Sequence, residues 1–510
     1  MKQRIVLYVF SLLVLLPLVY VFGTGIMEAR NLISAQSMAL DHDWLIPHLF
    51  TEIRLNKPPL PVWLTVPVFL LDPEPSMFAL HLPVILVTAL LGVFCFDLYR
   101  TLFHDEKTAF YAGLVISSML LTLKLGTTNS WDIYSVVFMT GALVGLVRPE
   151  RGWLMAGVLL MAASVLSKGP VQLYTMLLPF LVTLLIFRRT LPWKRLAVIL
   201  FGGCILGGLW YLYVYLAVPR VAATVAQGEV SAWSNMHTAS FFFYLSFPAF
   251  AGAWALPCLA GLGSRWLNKE DGRSPEVKFL LCWFLLSLLL LSLVPEKKER
   301  YLMPAMVPLA LLAAQVLRHW VKGLTENTLS RLEKRIITVH LGLGTLAAAG
   351  ICLFIAWSHR EFALYAALCA LFCLVLGAAA LRFFPRFIVP VSCVMVLLVC
   401  LAGFRMGSTR PVVQKTPPTC SLEELHALPE LAGIPCYSFD NFSPTEEWEA
   451  GRDTTRIASL DEIPESRFLL LDTDTTPPDV VSQNRLNVEK TFLIQTSRNR
   501  YIQLFVVTKK

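Results

Sequence analysis

The sequence predicts a polytopic α-helical membrane protein with about 13 transmembrane helices, outward-facing interfacial helices and a small C-terminal α/β domain. Of its 510 residues, 56% are hydrophobic and only 15% are charged. The mean hydropathy is +0.62. Soluble domains carry about 25% charged residues, so this composition indicates a membrane protein. Apolar runs of about 16 to 23 residues, enough to cross roughly 30 Å of hydrocarbon, recur along most of the chain.

The apolar runs fall within the first 404 residues. They begin near Ile5, Met77, Thr108, Ile133, Trp153, Leu173, Leu196, Phe243, Phe279, Leu302, Thr338, Phe362 and Ile388. The first run follows the basic residues Lys2 and Arg4, is about 20 residues long and lacks a small-x-small cleavage site. We therefore interpret it as an uncleaved signal anchor.

The distribution of basic residues among the loops predicts the orientation. With the N-terminus in the cytoplasm, the cytoplasmic loops hold about 21 Lys and Arg and the outward loops about 10, in agreement with the positive-inside rule. We therefore expect a multi-pass membrane protein whose N-terminus lies in the cytoplasm and whose C-terminal domain lies outside. The net charge of +8 then follows from topology. The sequence has no concentrated basic face of the kind that nucleic acid requires.

Residues 405–510 differ in character from the rest, and an odd number of spans places them outside. Alternating apolar stretches at 467–471, 491–495 and 501–507 predict strands, and the pattern at 421–428 predicts a short helix. We therefore divide the chain into a transmembrane domain, residues 1–404 with a first outward loop at 27–77, and a periplasmic α/β domain, residues 405–510.

Two of the 11 cysteines, Cys420 and Cys436, lie in this C-terminal domain, and the others lie in apolar runs where packing is their expected role. An oxidising periplasm would allow Cys420 and Cys436 to pair, and the sequence leaves that open. No CxxC, HExxH, Walker or GxGxxG pattern occurs, which excludes the common redox, zinc-hydrolase and nucleotide-binding classes.

The first outward loop carries a carboxylate beside a cation. Glu28 is followed two residues later by Arg30, which offers a base next to an anion-binding group at the end of the first span. An ordinary solvated helix end would explain an isolated pair of this kind as well. The loop continues with an amphipathic stretch that we expect to lie along the membrane surface, and then with Lys57 in a Lys-Pro-Pro segment.

Later outward loops also carry charged residues. Asp132 follows the third apolar run and Lys168 the fifth, and Lys298, Arg300 and Tyr301 follow the ninth. Cations on the side that the positive-inside rule disfavours predict an anionic partner, such as a lipid phosphate. For any one cation alone, snorkelling toward lipid headgroups is the alternative.

These loops carry the motifs of a known family. The motifs are Met27–Arg30, the segment from Asp43-Trp44 through Lys-Pro-Pro-Leu to Trp63-Leu64, Asp132, Ser167–Pro170 and Lys298–Pro304. Over residues 1–404 the chain resembles bacterial C-type membrane glycosyltransferases, in particular the 4-amino-4-deoxy-L-arabinose lipid A transferases and the protein O-mannosyltransferase-like families. The resemblance implies transfer of one sugar from a polyprenyl phosphate donor. The acceptor would be lipid A or another glycolipid, glycan or protein on the outer face of the bacterial inner membrane, and membrane lipids would surround the enzyme.

The resemblance also implies roles for individual residues. Because Met27 stands where the family has its first acid, Glu28 is our first choice for the base that activates the acceptor, and Asp132 is the second. The expected ligands of the donor phosphate are Arg30, Lys57, Lys168, Lys298, Arg300 and Tyr301. A lipid-linked sugar flippase is the alternative class, but it would place ionisable residues in the middle of spans, whereas here they cluster at span ends.

Two departures from the family pattern bear on metal binding. Asn56 stands where the family has a Glu, and Val230 stands near the expected His, while His237 is an isolated histidine. Asparagine offers one neutral oxygen and valine offers no ligand atom. We therefore expect no tightly bound metal and no other cofactor.

Overall fold

The computed structural model describes residues 1–50, 52–187, 190–235, 237–263, 274–404, 419–421, 428–431, 433–440, 442–472, 486–495 and 501–509. The chain divides into two compact units, Met1–Gly23 with Leu55–Ser408 and Thr24–Arg54 with Thr409–Lys510. The predicted boundary after residue 404 assigned the whole first outward loop to the transmembrane domain. The structure instead groups Thr24–Arg54 with the C-terminal residues.

The described residues up to Asn235 include the helices α1 to α11. In chain order they are α1 (Lys2–Leu15), α2 (Ile26–Asp41), α3 (Leu60–Leu71), α4 (Met77–Phe103), α5 (Glu106–Ser118), α6 (Leu120–Gly126), α7 (Trp131–Val147), α8 (Arg151–Lys168), α9 (Leu178–Ile186), α10 (Trp193–Ala217) and α11 (Pro219–Asn235). Further helical segments span Phe241–Leu262, Pro275–Leu293, Glu299–Glu326, Arg331–Ser358, Arg360–Arg382 and Pro385–Phe404. Of these helices, α2 alone belongs to the second unit.

Every predicted apolar run begins on a helical segment. By length and composition, eight helices of the described chain can cross a membrane, or nine if the bent pair α5 and α6 forms one span. Shorter apolar helices lie at Leu60–Leu71, Trp131–Val147 and Leu173–Ile186. The prediction of a mainly helical, multi-pass membrane protein is confirmed. The number of about 13 crossings stays a prediction, because several runs are shorter than the hydrocarbon thickness requires.

Small residues let α7, α8 and α10 pack closely. A Cβ added to Gly145 on α7 would lie 2.6 Å from the Cα of Gly157 on α8, so only glycine fits at this crossing. On α10, a Cβ at Gly203 would lie 2.3 Å from the Met161 side chain of α8. Close approach through small residues is a common way for helices to associate in membranes. Because only residues 148–150 connect α7 to α8, the two packed helices are antiparallel, and the start of α7 lies near the end of α8.

A buried ion cluster ties the opposite end of these helices together. Asp97 on α4 accepts from Arg4 of α1 at 2.7 Å and from Arg148, just after α7, at 3.1 Å. The Asp97 side chain is 1% exposed. A buried carboxylate requires partners of opposite charge, and here two guanidinium groups supply them. This cluster anchors the end of α7 that lies away from Asp132.

The second unit contains a six-stranded sheet. Its strands are β3 (Thr419–Ser421), β4 (Cys436–Ser438), β5 (Thr455–Arg456), β6 (Arg467–Asp472), β7 (Leu486–Gln495) and β8 (Tyr501–Lys509), in the order β3-β7-β8-β6-β4-β5. Strand β8 pairs antiparallel with β6 and β7, and the remaining pairs are parallel. A separate hairpin joins β1 (His48–Leu49) to β2 (Glu52–Ile53). The three predicted strands are confirmed as β6, β7 and β8, while residues 422–427 of the predicted helix lie outside the described residues.

The strand order decides whether the two cysteines of this unit can pair. Cys420 lies on β3 and Cys436 on β4, with three strands between them. Four strand spacings of about 4.8 Å place them roughly 19 Å apart, whereas a disulfide needs Cα atoms within about 7 Å. The two cysteines therefore do not pair. Cys436 is a free, buried thiol, and burial raises its pKa to about 12.

Candidate active site

Asp132 and Lys168 form the buried centre of a charged cluster. Asp132 is the second residue of α7 and Lys168 is the last residue of α8, so the antiparallel packing of these helices brings their side chains together. The Lys168 ammonium contacts Oδ1 of Asp132, with 10% and 3% of the two side chains exposed. The chain leaves α8 through Gly169, whose φ of +78° favours glycine.

Arg300 forms an ion pair with the other oxygen of the same carboxylate. Its Nε lies 3.2 Å from Oδ2 of Asp132. Arg300 belongs to the 3₁₀ turn Glu299–Leu302 that opens the long helical segment ending at Glu326. The Asp132 carboxylate is therefore shared between an ammonium and a guanidinium group. Two cations face one carboxylate here, so positive charge is in excess beside it.

Tyr301 contributes an aromatic face to this cluster. The Lys168 ammonium lies 4.2 Å from the centre of the Tyr301 ring, and the Lys298 ammonium lies 5.6 Å from it. Both distances fall within the range of cation–π attraction. Lys298 also forms an ion pair with Glu296, whose side chain is 10% exposed. The ring therefore holds two ammonium groups near one another without neutralising either.

Lys57 reaches the cluster from the segment before α3. Its ammonium lies 2.9 Å from Oε2 of Glu229 on α11, and Asn56 Nδ2 donates to Oε1 of the same carboxylate at 3.3 Å. The indole N–H of Trp131 donates to the carbonyl of Pro58 at 3.0 Å, which ties this segment to the first turn of α7. Lys57 lies close enough for its charge to act on Asp132.

Buried polar contacts fix the loop before α7. Asn129 donates to the Thr65 hydroxyl at 3.0 Å and to the Leu80 carbonyl at 2.8 Å, and it accepts from the Tyr134 hydroxyl at 3.0 Å. These contacts join the start of α7 to α3 and α4. A side chain held by several elements is preorganised, because it cannot move without breaking bonds elsewhere.

Glu229 is the site residue that the sequence motifs do not mark. It is the only charged residue between Arg220 and His237, and it directly precedes Val230, which stands near the family's expected His. Its position as a single acid in a long uncharged stretch is the sequence signal that could have identified Glu229 as a site residue. His237, the other polar candidate, has an exposed side chain, and its carbonyl accepts from the backbone N–H of Lys297 at 3.0 Å.

The donor set around Asn56 and Glu229 does not fit a divalent ion. Both oxygens of Glu229 are already bound, one by the Lys57 ammonium and one by the amide N–H of Asn56. A cation site needs several oxygen or nitrogen atoms with free lone pairs directed at one point. Within the described part of the chain, no three His, Cys, Asp or Glu side chains meet in such an arrangement.

Glu28 and Arg30 lie on α2 and therefore belong to the second unit. Glu28 is 1% exposed. Helix α2 packs against the helix Pro444–Ala450, which carries Glu447. Burial, assisted by the charge of Asp453, raises the pKa of Glu447 to about 7, and the nearby Arg30 partly offsets this shift. Of the eight predicted site residues, the first unit contains six, namely Lys57, Asp132, Lys168, Lys298, Arg300 and Tyr301. Glu28 and Arg30 belong to the second unit.

Two family matches cover successive parts of the chain. Residues 56–210 match the family described as dolichyl-phosphate-mannose-protein mannosyltransferase. Residues 233–375 match the Alg9-like mannosyltransferase family. Each match covers less than half of the 510 residues. Together they contain Lys57, Asp132, Lys168, Lys298 and Arg300.

The names of two individual relatives specify the sugar, which the two family descriptions above do not share. The undecaprenyl phosphate-alpha-4-amino-4-deoxy-L-arabinose arabinosyl transferase of Pectobacterium carotovorum is 27% identical over 385 residues, 69% of this chain and 64% of that protein. Its counterpart from Pectobacterium atrosepticum is 28% identical over 391 residues, 70% of this chain and 66% of that protein. The aligned region therefore spans slightly less than two thirds of these relatives' length.

Solved structures match over nearly the whole chain. ArnT from Cupriavidus metallidurans bound to undecaprenyl phosphate superposes with a TM-score of 0.73 at 17% identity, covering 99% of this chain and 97% of that one. The apo form gives 0.71 at 18% identity. The chain has the ArnT fold. The resemblance to aminoarabinose transferases predicted from the outward loops is confirmed.

Proposed function

We propose that the protein is an inner-membrane glycosyltransferase that moves one sugar from a polyprenyl phosphate donor to lipid A or another acceptor on the periplasmic side. The observation that carries this proposal is the charged cluster of the first unit. Four cations in it contact three carboxylates: Lys57, Lys168, Lys298 and Arg300 against Asp132, Glu229 and Glu296. Among the described residues, these four cations outnumber the three carboxylates that they contact, which suits an anionic phosphodiester-linked sugar.

The same cluster suits the departure of the phosphate. When the bond between the sugar and the phosphate breaks, negative charge grows on the leaving oxygen. Cations fixed in place beforehand stabilise that charge without reorganising, and they act more strongly away from bulk water. Lys168, 10% exposed and held between Asp132 and the Tyr301 ring, is fixed in this way. We assign donor-phosphate binding to Lys57, Lys168, Lys298, Arg300 and Tyr301.

The acceptor half of the reaction requires a different group. A hydroxyl acceptor attacks the anomeric carbon and gives its proton to a base, while the polyprenyl phosphate leaves. Asp132 serves this purpose poorly, because both of its oxygens are bound to cations. We therefore keep Glu28 as the proposed base and assign Asp132 the positioning of Lys168 and Arg300. An acceptor phosphate of lipid A, already anionic, would not need a base.

A transfer assay tests the proposal. Purified protein in detergent receives a radiolabelled polyprenyl phosphate sugar and lipid A, and the products are separated by chromatography. We expect label in the lipid A fraction from the native protein, little from Lys168→Ala, and a normal amount from Lys124→Ala. Lys124 belongs to an exposed ion pair with Glu299 and serves as the matched control. A flippase would bind the donor and give no product with any variant.

A further inference from the structure

Lys297 is a buried lysine next to the charged cluster, and its ammonium binds the end of a helix. Only 5% of the residue is exposed. The ammonium donates to the backbone carbonyls of Leu291 at 3.3 Å and Ser292 at 2.8 Å, and it also contacts the carbonyl of Val294. These carbonyls lie at the end of the helix Pro275–Leu293, where the last carbonyls of a helix have no partner within it. The three N–H donors of one ammonium therefore serve three carbonyls.

The segment that carries Lys297 is extended and paired with another segment. The Lys297 backbone N–H donates to the carbonyl of His237 at 3.0 Å, and Glu296 forms an antiparallel bridge with Thr238. In an extended chain, successive side chains point to opposite sides. Glu296 and Lys298 accordingly form an ion pair with each other, whereas Lys297 between them reaches the helix end. The alternation decides which of the two adjacent lysines faces the cluster.

The register of this segment therefore matters for the donor site. Because the side-chain period of an extended chain is two, a shift by one residue would exchange the positions of Lys297 and Lys298. The 3₁₀ turn that contains Arg300 and Tyr301 begins directly after Lys298, so it would move as well. A shift would also take the Lys297 ammonium away from its three carbonyls. A buried charge without partners is costly, so these contacts oppose the shift.

We propose that Lys297 is a positioning residue, which anchors its segment to the helix end and so directs Lys298 toward the donor phosphate. This inference rests on the proposed function. Lys297 itself makes no contact with the donor in this role. A second phosphate ligand, or a lysine that only stabilises the fold, would behave differently in the two experiments that follow.

Lysine labelling of the native, full-length protein tests whether Lys297 contacts the donor. An amine-reactive reagent is applied in detergent with and without undecaprenyl phosphate, and mass spectrometry measures the modification of each lysine. Lys298, whose side chain is 26% exposed, should be modified without the lipid and protected by it. Lys297 should stay unmodified in both samples. Modification of Lys297 that the lipid prevents would make it a phosphate ligand and would overturn the positioning role.

Binding by variants tests whether Lys297 acts through Lys298. Lys297→Met keeps a long side chain but loses the three contacts, so the Kd for undecaprenyl phosphate should rise about tenfold, the scale of one hydrogen bond to a charged group. In a Lys298→Met background the same change should alter the Kd by less than about threefold, because the cation that Lys297 positions is already absent. Arg195→Met is the matched control. Arg195 donates to the carbonyls of Gly145 and Pro149 at the end of α7, so its loss should lower the melting temperature and leave the Kd unchanged.

The outcomes separate this inference from the proposed function. A Lys297→Met protein that melts earlier but keeps the native Kd would make Lys297 merely structural and overturn the positioning role. Equal increases in Kd in the native and Lys298→Met backgrounds would also overturn it, because Lys297 would then act independently of Lys298. If Lys297→Met does not fold, the labelling of the native protein decides. Native protein that does not bind undecaprenyl phosphate would instead overturn the proposed function itself.

Discussion

The ammonium group of Lys168 contacts the carboxylate of Asp132 where both side chains are almost completely buried. Each residue lies at one end of its own helix, and the antiparallel packing of α7 and α8 brings these two ends together. Since Arg300 forms an ion pair with the second carboxylate oxygen, Asp132 fixes two cations at the start of α7. This arrangement suits the proposed donor-phosphate site, because one buried acid fixes the positions of two cations.

Replacing Asp132 tests this structural role. Asp132→Asn should lower the melting temperature clearly, because breaking a buried ion pair costs about 3–5 kcal/mol. The double variant Asp132→Asn with Lys168→Met removes both charges and should regain part of the lost stability, but not the activity. Thermal unfolding in detergent, followed by a thiol-reactive dye, measures the first effect. An Asp132→Asn protein with the native melting temperature would contradict the structural role.

Replacing Glu28 tests the assignment of the base. Glu28→Gln keeps the size of a buried side chain, so folding and membrane insertion should persist. Turnover with a hydroxyl acceptor should fall at least about a hundredfold, the usual scale for a positioned acid–base group. The loss should appear in kcat, with donor affinity unchanged. If this variant is nearly as active as the native protein, and Asp132→Asn binds donor normally but does not turn over, the base is Asp132.

The raised pKa of Glu447 predicts that the stability of the second unit depends on pH. Its pKa is raised from 4.5 to about 7, chiefly by burial. A raised carboxyl pKa means that the folded state holds the proton more tightly than the unfolded state, so stability falls as the pH rises from about 4.5 to about 7. Glu447→Gln should abolish this part of the decline and should be more stable than the native protein at pH 8. Melting temperatures of full-length protein between pH 4.5 and 8 measure it, and parallel curves for the two proteins would refute the assignment.

The sequence was sufficient to predict the helical frame and most of the cluster. Long apolar runs predict helices directly. Cations that break the positive-inside bias marked Lys168, Lys298 and Arg300, and an acid in a short outward loop between apolar helices marked Asp132. The ion pair of Lys57 with Glu229 was not predictable, because α11 carries no motif and its contact partner lies 172 residues away in the chain.

Two other features could not be predicted, because they depend on contacts between distant parts of the chain: the unit to which α2 belongs and the distance between the two cysteines. An amphipathic pattern shows that α2 has an apolar face but not which element covers it, and the structure groups it with the C-terminal residues. In the same way, the spacing of Cys420 and Cys436 gave no information on the strand order that separates them.

Activity should not depend on a divalent metal. The Lys57 ammonium and the Asn56 amide already bind the Glu229 carboxylate, so the positive charge a metal would supply comes from side chains. Transfer should therefore continue after exhaustive EDTA treatment, with metal content measured in parallel. Activity that disappears with EDTA and returns with one added divalent ion would show that this expectation is wrong.

The most direct test of a donor-phosphate site is transfer measured against varied polyprenyl phosphate sugar. Hydrogen bonds to charged groups contribute about 1.5–3 kcal/mol, so Lys57→Ala and Arg300→Ala should each lower kcat/KM for the donor roughly tenfold or more. Arg300→Lys should recover only part of the loss, because lysine keeps the charge but not the planar fork. Lys124→Ala should match the native protein. Unchanged kcat/KM for both Lys57→Ala and Arg300→Ala would show that these cations only contact lipid headgroups, and would contradict the assignment of this cluster as the donor site.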